Sequence, residues 1–153
     1  MKKHKMMFGE AGSSVELAIF NVGDLVCALR SIEVQEIIKF QEITLVHHAP
    51  DYVKGVINLR GQIVTIIDMR SKFNMDPLDA STSMRIVIVK YGEESMGLLV
   101  DGVSDIINAP VEEIDPPPSN LSGLAGAYFL GIFKKEDSLV AILNISEILK
   151  IER

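Results

Sequence analysis

Short apolar runs broken by turn residues recur along this chain, and most are too short for helices. Val15 to Phe20 and Leu25 to Leu29 predict two strands, joined by Asn21 to Asp24, with Gly23-Asp24 as a hairpin signal. From Ser31 to Ile38 the period changes. Val34, Ile37 and Ile38 are spaced i, i+3, i+4 with Glu33 and Glu36 between them, which predicts a short amphipathic helix or turn capped by Ser31. Ile43 to His47 returns to strand character, and Pro50 opens a helical turn that Gly55 ends.

Val56-Ile57 and Ile63 to Ile67 predict a second hairpin around Asn58 to Gln62, with Gly61 suited to positive φ. Asp68 is placed to cap a short helix ending near Phe73. Asn74 to Ser83 is polar, contains Asp76-Pro77, and is the best boundary in the chain. Met84 to Lys90 and Met96 to Val100 read as strands joined through Tyr91 to Glu94. Asn108 to Ala127 reads as a long loop with four prolines. Tyr128 to Phe133, a turn at Lys134 to Asp137, strand Leu139 to Leu143 and helix Ile145 to Lys150 close the chain. Asn144 and Glu147 there form a capping-box pattern. Residues 1–14 lack periodicity and read as a mobile tail.

Two halves repeat one plan. Val34 to Ile38 parallels Val103 to Ile107, and Gly55 precedes Asp68 by the same 13 residues that separate Gly131 from Asn144. A single unit of such short strands makes a weak core, so two are expected to pack together as small barrels.

Composition narrows the function. The 153 residues are 48% hydrophobic and 24% charged, a globular balance. A net charge of −6 opposes nucleic-acid binding, which needs a basic face. The lone Cys27 cannot form an intrachain disulfide and suits a reducing compartment. Met1 to Lys5 is charged like the front of a signal peptide, but Gly9, Glu10 and Gly12 stand where its apolar stretch belongs. The longest apolar run, Leu124 to Phe133, is far short of the roughly 20 residues that span a bilayer.

Catalytic patterns are thin. Cys27 lies in an apolar strand and reads as an inert buried thiol. His47 and His48 are adjacent, so in an extended chain they point to opposite faces and cannot chelate one metal. Asp101, Asp105, Glu112, Glu113 and Asp115 scatter around loops and read as solvated surface. The chain has no phosphate-binding glycine loop and no zinc or nucleophile-elbow motif. No cofactor and no metal are expected. Residue chemistry alone leads to an acidic, cytosolic, all-β interaction protein.

Val53 to Val64, continuing through Ile67 to Arg70 and on to Phe73, resembles the signature of the CheW family of chemotaxis coupling proteins. Val34 to Ile37 and Gly97 to Val103 supply two further blocks, so the likeness runs over about residues 15–150. The resemblance implies an all-β fold of two SH3-like five-stranded barrels packed together with short helices. The first would span about 15–79 and the second about 80–150, with strand exchange between them left open. It also implies a non-enzymatic adaptor joining the cytoplasmic helical tip of chemoreceptors to the regulatory domain of the histidine kinase CheA. Such an adaptor is cytoplasmic, recruited to receptor arrays, and makes no membrane insertion. The receptor-binding positions of the family fall on Val34, Glu36, Gly55, Asn58 and Arg60, with Ser104 and Ile107 near the facing side of the groove. No motif marks the kinase-binding face.

Thr65 stands where the family commonly has proline, and Phe133 to Asp137 is more charged than the family's turn. Each position keeps a plainer reading. Gly55 is either a helix terminator or a site residue, Val34 core or groove, and Glu36 a solvated charge or a contact. Arg60, beside turn residues, is expected either to project into solvent as a donor fork for a receptor carboxylate or to bond loop carbonyls that hold the turn. Two other functions stand beside the adaptor: a CheW-like adaptor in a non-flagellar chemosensory pathway, and a small-ligand-binding β-barrel or enzyme. The latter requires a pocket of convergent polar groups that the sequence does not nominate. A chain ending at Arg153 is expected to carry no receiver domain.

Overall fold

The computed structural model describes residues 8–79 and 81–151. The first half of the chain forms strands β1 (Ser14–Val22), β2 (Leu25–Arg30), β3 (Val34–Lys39), β4 (Val53–Leu59) and β5 (Gln62–Asp68), then helix α1 (Met69–Lys72). The second half forms β6 (Arg85–Tyr91), β7 (Glu94–Val100) and β8 (Gly102–Pro110), and the two-residue strands β9 (Ile114–Asp115), β10 (Asn120–Leu121) and β11 (Leu124–Ala125). It ends with β12 (Phe129–Lys135), β13 (Ser138–Leu143) and helix α2 (Ile145–Ile148).

The larger sheets are ordered β8-β1-β2-β13-β12-β9, which forms the first barrel, and β3-β6-β7-β5-β4, which forms the second. Each therefore takes a hairpin from one half of the chain and its remaining strands from the other. Hairpin β1–β2 lies between β8 and β13, while hairpin β6–β7 lies between β3 and β5, and both insertions end in a parallel pairing (β2 with β13, β7 with β5). Neither sheet corresponds to the span 15–79 or 80–150. The sequence repeat is visible in the strand order, because β3 and β8 hold equivalent edge positions. Gly55 and Gly131 each mark a bulge in the strand that opens the final hairpin of its half, and Asp68 and Asn144 each precede a helix.

This exchange explains the unbroken apolar runs. Leu17 to Phe20 on β1 and Ile86 to Val89 on β6 are buried on both faces. On β6, Ile86 and Ile88 fill the second barrel with Ile57 and Ile66, while Val87 and Val89 turn to a central cluster. That cluster also receives Phe20 and Val22 from β1, and Ile145 and Ile148 from α2. Leu17 and Ile19 line the first barrel instead.

Several local expectations are corrected. Residues 31–38 form a 3-10 turn, Ser31–Glu33, followed by strand β3, with alternating half-buried and exposed positions. The helical spacing is overridden because pairing with β6 satisfies the backbone and points Val34 and Ile38 inward. Ser31 caps nothing. Its hydroxyl is buried without a partner among the described residues. Of the strand expected at 43–47, only Thr44 pairs, with Val56. Pro50 starts a single turn closed by the Val53 amide at 2.9 Å, and Gly55 lies within β4 rather than at a helix end.

Asp68 caps α1 as expected, accepting from the amides of Arg70 and Ser71. Asn144 precedes α2 but makes no side-chain cap bond, so the capping box is not formed. The segment read as a loop over 108–127 contains the end of β8, a 3-10 turn and β9 to β11. At the N-terminus, Phe8 is buried in the first barrel's cluster, the Gly12 amide donates to Glu112 at 2.9 Å, and Ser14 opens β1. Residues 8–14 are thus anchored through Phe8 and Gly12 while 9–14 remain exposed, and 1–7 lie outside the described residues.

Candidate interaction site

The β4–β5 hairpin pairs Leu59 with Gln62, so Arg60 and Gly61 form its two-residue turn. Both have positive φ, 50° and 86°, as a type I′ hairpin turn requires. Gly61 takes this conformation readily, whereas Arg60 is a long side chain in a sparsely occupied region. Asn58 holds the turn, its Oδ1 accepting from the Gly61 amide at 2.9 Å.

From this turn the Arg60 guanidinium reaches Glu36 on β3 and pairs with its carboxylate. Since β3 and β4 are the two outer strands of the second sheet, the pair spans the seam where that sheet curls into a barrel. The Arg60 side chain remains 68% exposed and Glu36 34%. They border an open depression lined also by Gln35, Leu59, Gln62, Ile88 and Ser95. Ser95 and Gln35 are bonded across it at 2.8 Å. Neither expectation for Arg60 is met in full. It projects as a fork, but the carboxylate it holds is the chain's own.

The other carried-over residues divide. Val34 is half-buried against the central cluster, so it is packing material at the margin of this face. Gly55 is buried in the β4 bulge at φ 151°, where a Cβ would stand 2.1 Å from the Thr44 carbonyl oxygen. Ser104 and Ile107 lie on β8 in the other sheet. Ser104 is the extra residue of the β1–β8 bulge, with its hydroxyl 3.4 Å from the Ile19 carbonyl, and Ile107 packs partly against the first barrel's cluster. The structure thus gathers Glu36, Asn58 and Arg60 on one face and leaves Ser104 and Ile107 on a different sheet.

A second charged pair escaped the sequence reading. Arg70, in α1, donates to both carboxylate oxygens of Asp101, at 2.9 and 2.7 Å, and the Gly23 amide donates to the same carboxylate at 2.9 Å. Partial burial disfavours charge on Asp101. The Arg70 and Gly23 bonds outweigh it and hold the carboxyl below its ordinary pKa. Both residues lie inside the signature blocks around 67–70 and 97–103, which was the signal available. Asp105 bonds its neighbour's amide at 2.8 Å and Lys135 at 3.3 Å, and its pKa is lowered by these, the Ile106 amide foremost.

Cys27 is fully buried, and burial pushes its thiol well above its usual range, so it stays protonated and inert. His47 and His48 are exposed, and no cluster of three metal-ligating side chains occurs among the described residues. No described helix is long and apolar enough to cross a membrane.

Comparison with known proteins places this geometry. The family model for the CheW-like domain matches residues 16–153. The chain is 33% identical over 144 residues to the chemotaxis protein CheW of Klebsiella aerogenes, covering 93% of this chain and 87% of that protein. It is 34% identical over 131 residues to the chemotaxis protein CheW of Helicobacter pylori, covering 86% and 79%. The crystal structure of the scaffolding protein TtCheW from Thermoanaerobacter tengcongensis superposes with a TM-score of 0.84 at 28% identity, over 91% of this chain and 90% of that one. Sequence signature, the two packed sheets and these relatives agree, and the chain belongs to the CheW-like family.

Proposed function

We propose that this chain is a chemotaxis adaptor that couples the cytoplasmic helical tips of chemoreceptors to the histidine kinase CheA, acting by docking and not by catalysis. Family membership supports the adaptor role. The observation that carries the docking face is the position of Arg60, presented on a hairpin tip over Glu36 and largely open to solvent. A guanidinium has five N–H donors, more than one carboxylate takes up, so Arg60 can hold Glu36 and a receptor carboxylate together. In this reading Glu36, Asn58 and Arg60 form the receptor-facing centre. Val34 and Gly55 shape the strands beneath it, and Ser104 and Ile107 on β8 belong to a facing wall. The adaptor works in the cytoplasm, recruited to receptor arrays by these contacts.

Arg60→Ala is the test. An arginine at an interface centre contributes about 2 kcal/mol or more, roughly thirtyfold in affinity. The variant should keep its thermal midpoint and lose affinity for a receptor-tip fragment by that factor. Unchanged affinity in a folded variant would remove Arg60 from the receptor face.

A further inference from the structure

The repeat of the two halves places a charge where its symmetry calls for an apolar side chain. The spacing that carries Gly55 to Gly131 also carries Tyr52 to Tyr128, Asp68 to Asn144 and Lys72 to Ile148. The backbone keeps this correspondence. The Asp68 amide donates to the Tyr52 carbonyl at 2.7 Å, and the Asn144 amide donates to the Tyr128 carbonyl at 2.8 Å. Lys72 and Ile148 thus end the equivalent helices α1 and α2, and both are buried. Lys72 is the one buried charged residue among the described residues, and no carboxylate among them pairs with it. Its ammonium instead lies 3.9 Å from the centroid of the Tyr52 ring and 5.7 Å from that of Tyr128. It also donates to the Lys150 carbonyl at 3.4 Å. One ring comes from each half of the chain, and the carbonyl lies just past α2.

We propose that Lys72 is a cation clasp that fixes how α2 docks on the first half of the chain, a device for a single arrangement rather than for stability. An ammonium taken out of water costs free energy that a methionine or isoleucine at the same place would not. What it supplies is direction. Apolar side chains repack and lose uniqueness before they lose stability, whereas a cation must stay over a ring face and within reach of a carbonyl. The four residues of α2 are too few to hold a helix alone, so their order depends on docking. Lys72 meets α2 at its C-terminal end, where unpaired carbonyls favour a positive charge. Phe73, the next residue, sets its ring 5.9 Å from that of Tyr128 and continues the contact between the halves. This inference stands apart from the receptor-docking reading, since neither Glu36 nor Arg60 takes part in the clasp.

Amide hydrogen exchange of the full chain, read residue by residue by nuclear magnetic resonance, tests this beside the thermal midpoint. The reporters are the amides of Ile148 and Leu149, which donate to the Asn144 and Ile145 carbonyls at 3.0 and 2.9 Å. Amides at the centre of β6 and β7 report global opening. In Lys72→Met the two α2 amides should exchange faster by about tenfold or more relative to the β6 and β7 set, while the midpoint holds or rises. Tyr52→Leu, which removes the nearer ring, should speed the same two amides relative to that set. Unchanged relative exchange at α2 in either variant overturns the clasp. So does a Lys72→Met midpoint lowered by more than about 5 °C, or a failure of that variant to fold, since Lys72 would then be an ordinary stabilising contact.

Discussion

Arg70 grips both oxygens of the Asp101 carboxylate, and that carboxylate in turn anchors the Gly23 amide, so one ion pair ties three separated segments together. Asp101 stands where the chain leaves β7 for β8, crossing from one sheet to the other. Its own amide donates to the Asn21 carbonyl at 2.9 Å, fixing the β1–β2 hairpin at the same point. Both side chains are about four-fifths buried, so the pair is shielded far better than the exposed one at Arg60.

Asp101→Asn should therefore destabilise the fold by about 1.5–3 kcal/mol, the range for charge-assisted bonds that leave a partner short. The folded carboxyl titrates below its ordinary value of 3.8, so its contribution is complete above that pH and disappears as pH falls through the lower folded value. Urea midpoints of both forms at pH 7 and near pH 2 check this. The difference should be full at neutral pH and shrink in acid. A difference that is constant across that range would mean the carboxylate charge contributes nothing.

Gly55 offers a different kind of test, because the backbone there leaves no room. A Cβ would lie 2.1 Å from the Thr44 carbonyl oxygen, and that same carbonyl accepts the Val56 amide at 2.8 Å. Gly55→Ala must break or displace the bridge that attaches residues 43–45 to β4. A loss of about 2 kcal/mol or more is expected, read as a lower urea midpoint at unchanged slope. Any binding defect of this variant should then track its unfolded fraction.

Much of the fold was legible because strand-length apolar runs and turn residues are local signals. Gly61, Asp68 and the 13-residue interval from Gly55 to Asp68 all kept their meaning. What misled was local too. Val34, Ile37 and Ile38 carry a helical spacing, but β6 supplies a pairing edge that no window around residue 34 contains. The role of Gly55 was hidden for the same reason, since Thr44 approaches it from outside β4. At the site, type and position of Arg60 could be read from the hairpin and the signature. Its partner Glu36, 24 residues away, needed the barrel to close.

The exchanged hairpins bear on unfolding. Phe20 and Val22 of β1 and Val87 and Val89 of β6 pack into one central cluster, and each hairpin completes the sheet built mainly from the other half. Neither barrel can open while the other keeps its hairpin. Thermal unfolding followed by far-ultraviolet circular dichroism and by tyrosine fluorescence should give coincident single transitions. Two resolved steps would mean that the barrels are separately stable.

The Glu36–Arg60 pair can be tested as structure against function through stability alone. It spans the seam between β3 and β4, so a structural role would make it a clasp for the second barrel. Its exposure argues otherwise. An ion pair open to solvent contributes about 0.2–1 kcal/mol, since water and salt screen it and two flexible side chains must be held. The seam has its own closure in the bridge between Thr44 and Val56 and in the apolar cluster of Ile57, Ile66 and Ile86. A double-mutant cycle of Arg60→Ala and Glu36→Gln should thus give a coupling energy below about 1 kcal/mol, falling further in 1 M salt. A coupling above about 2 kcal/mol that persists in salt would make the pair a clasp. Arg60 would then be held for the barrel's sake, and loss of a partner on its removal would follow from altered shape rather than a missing contact.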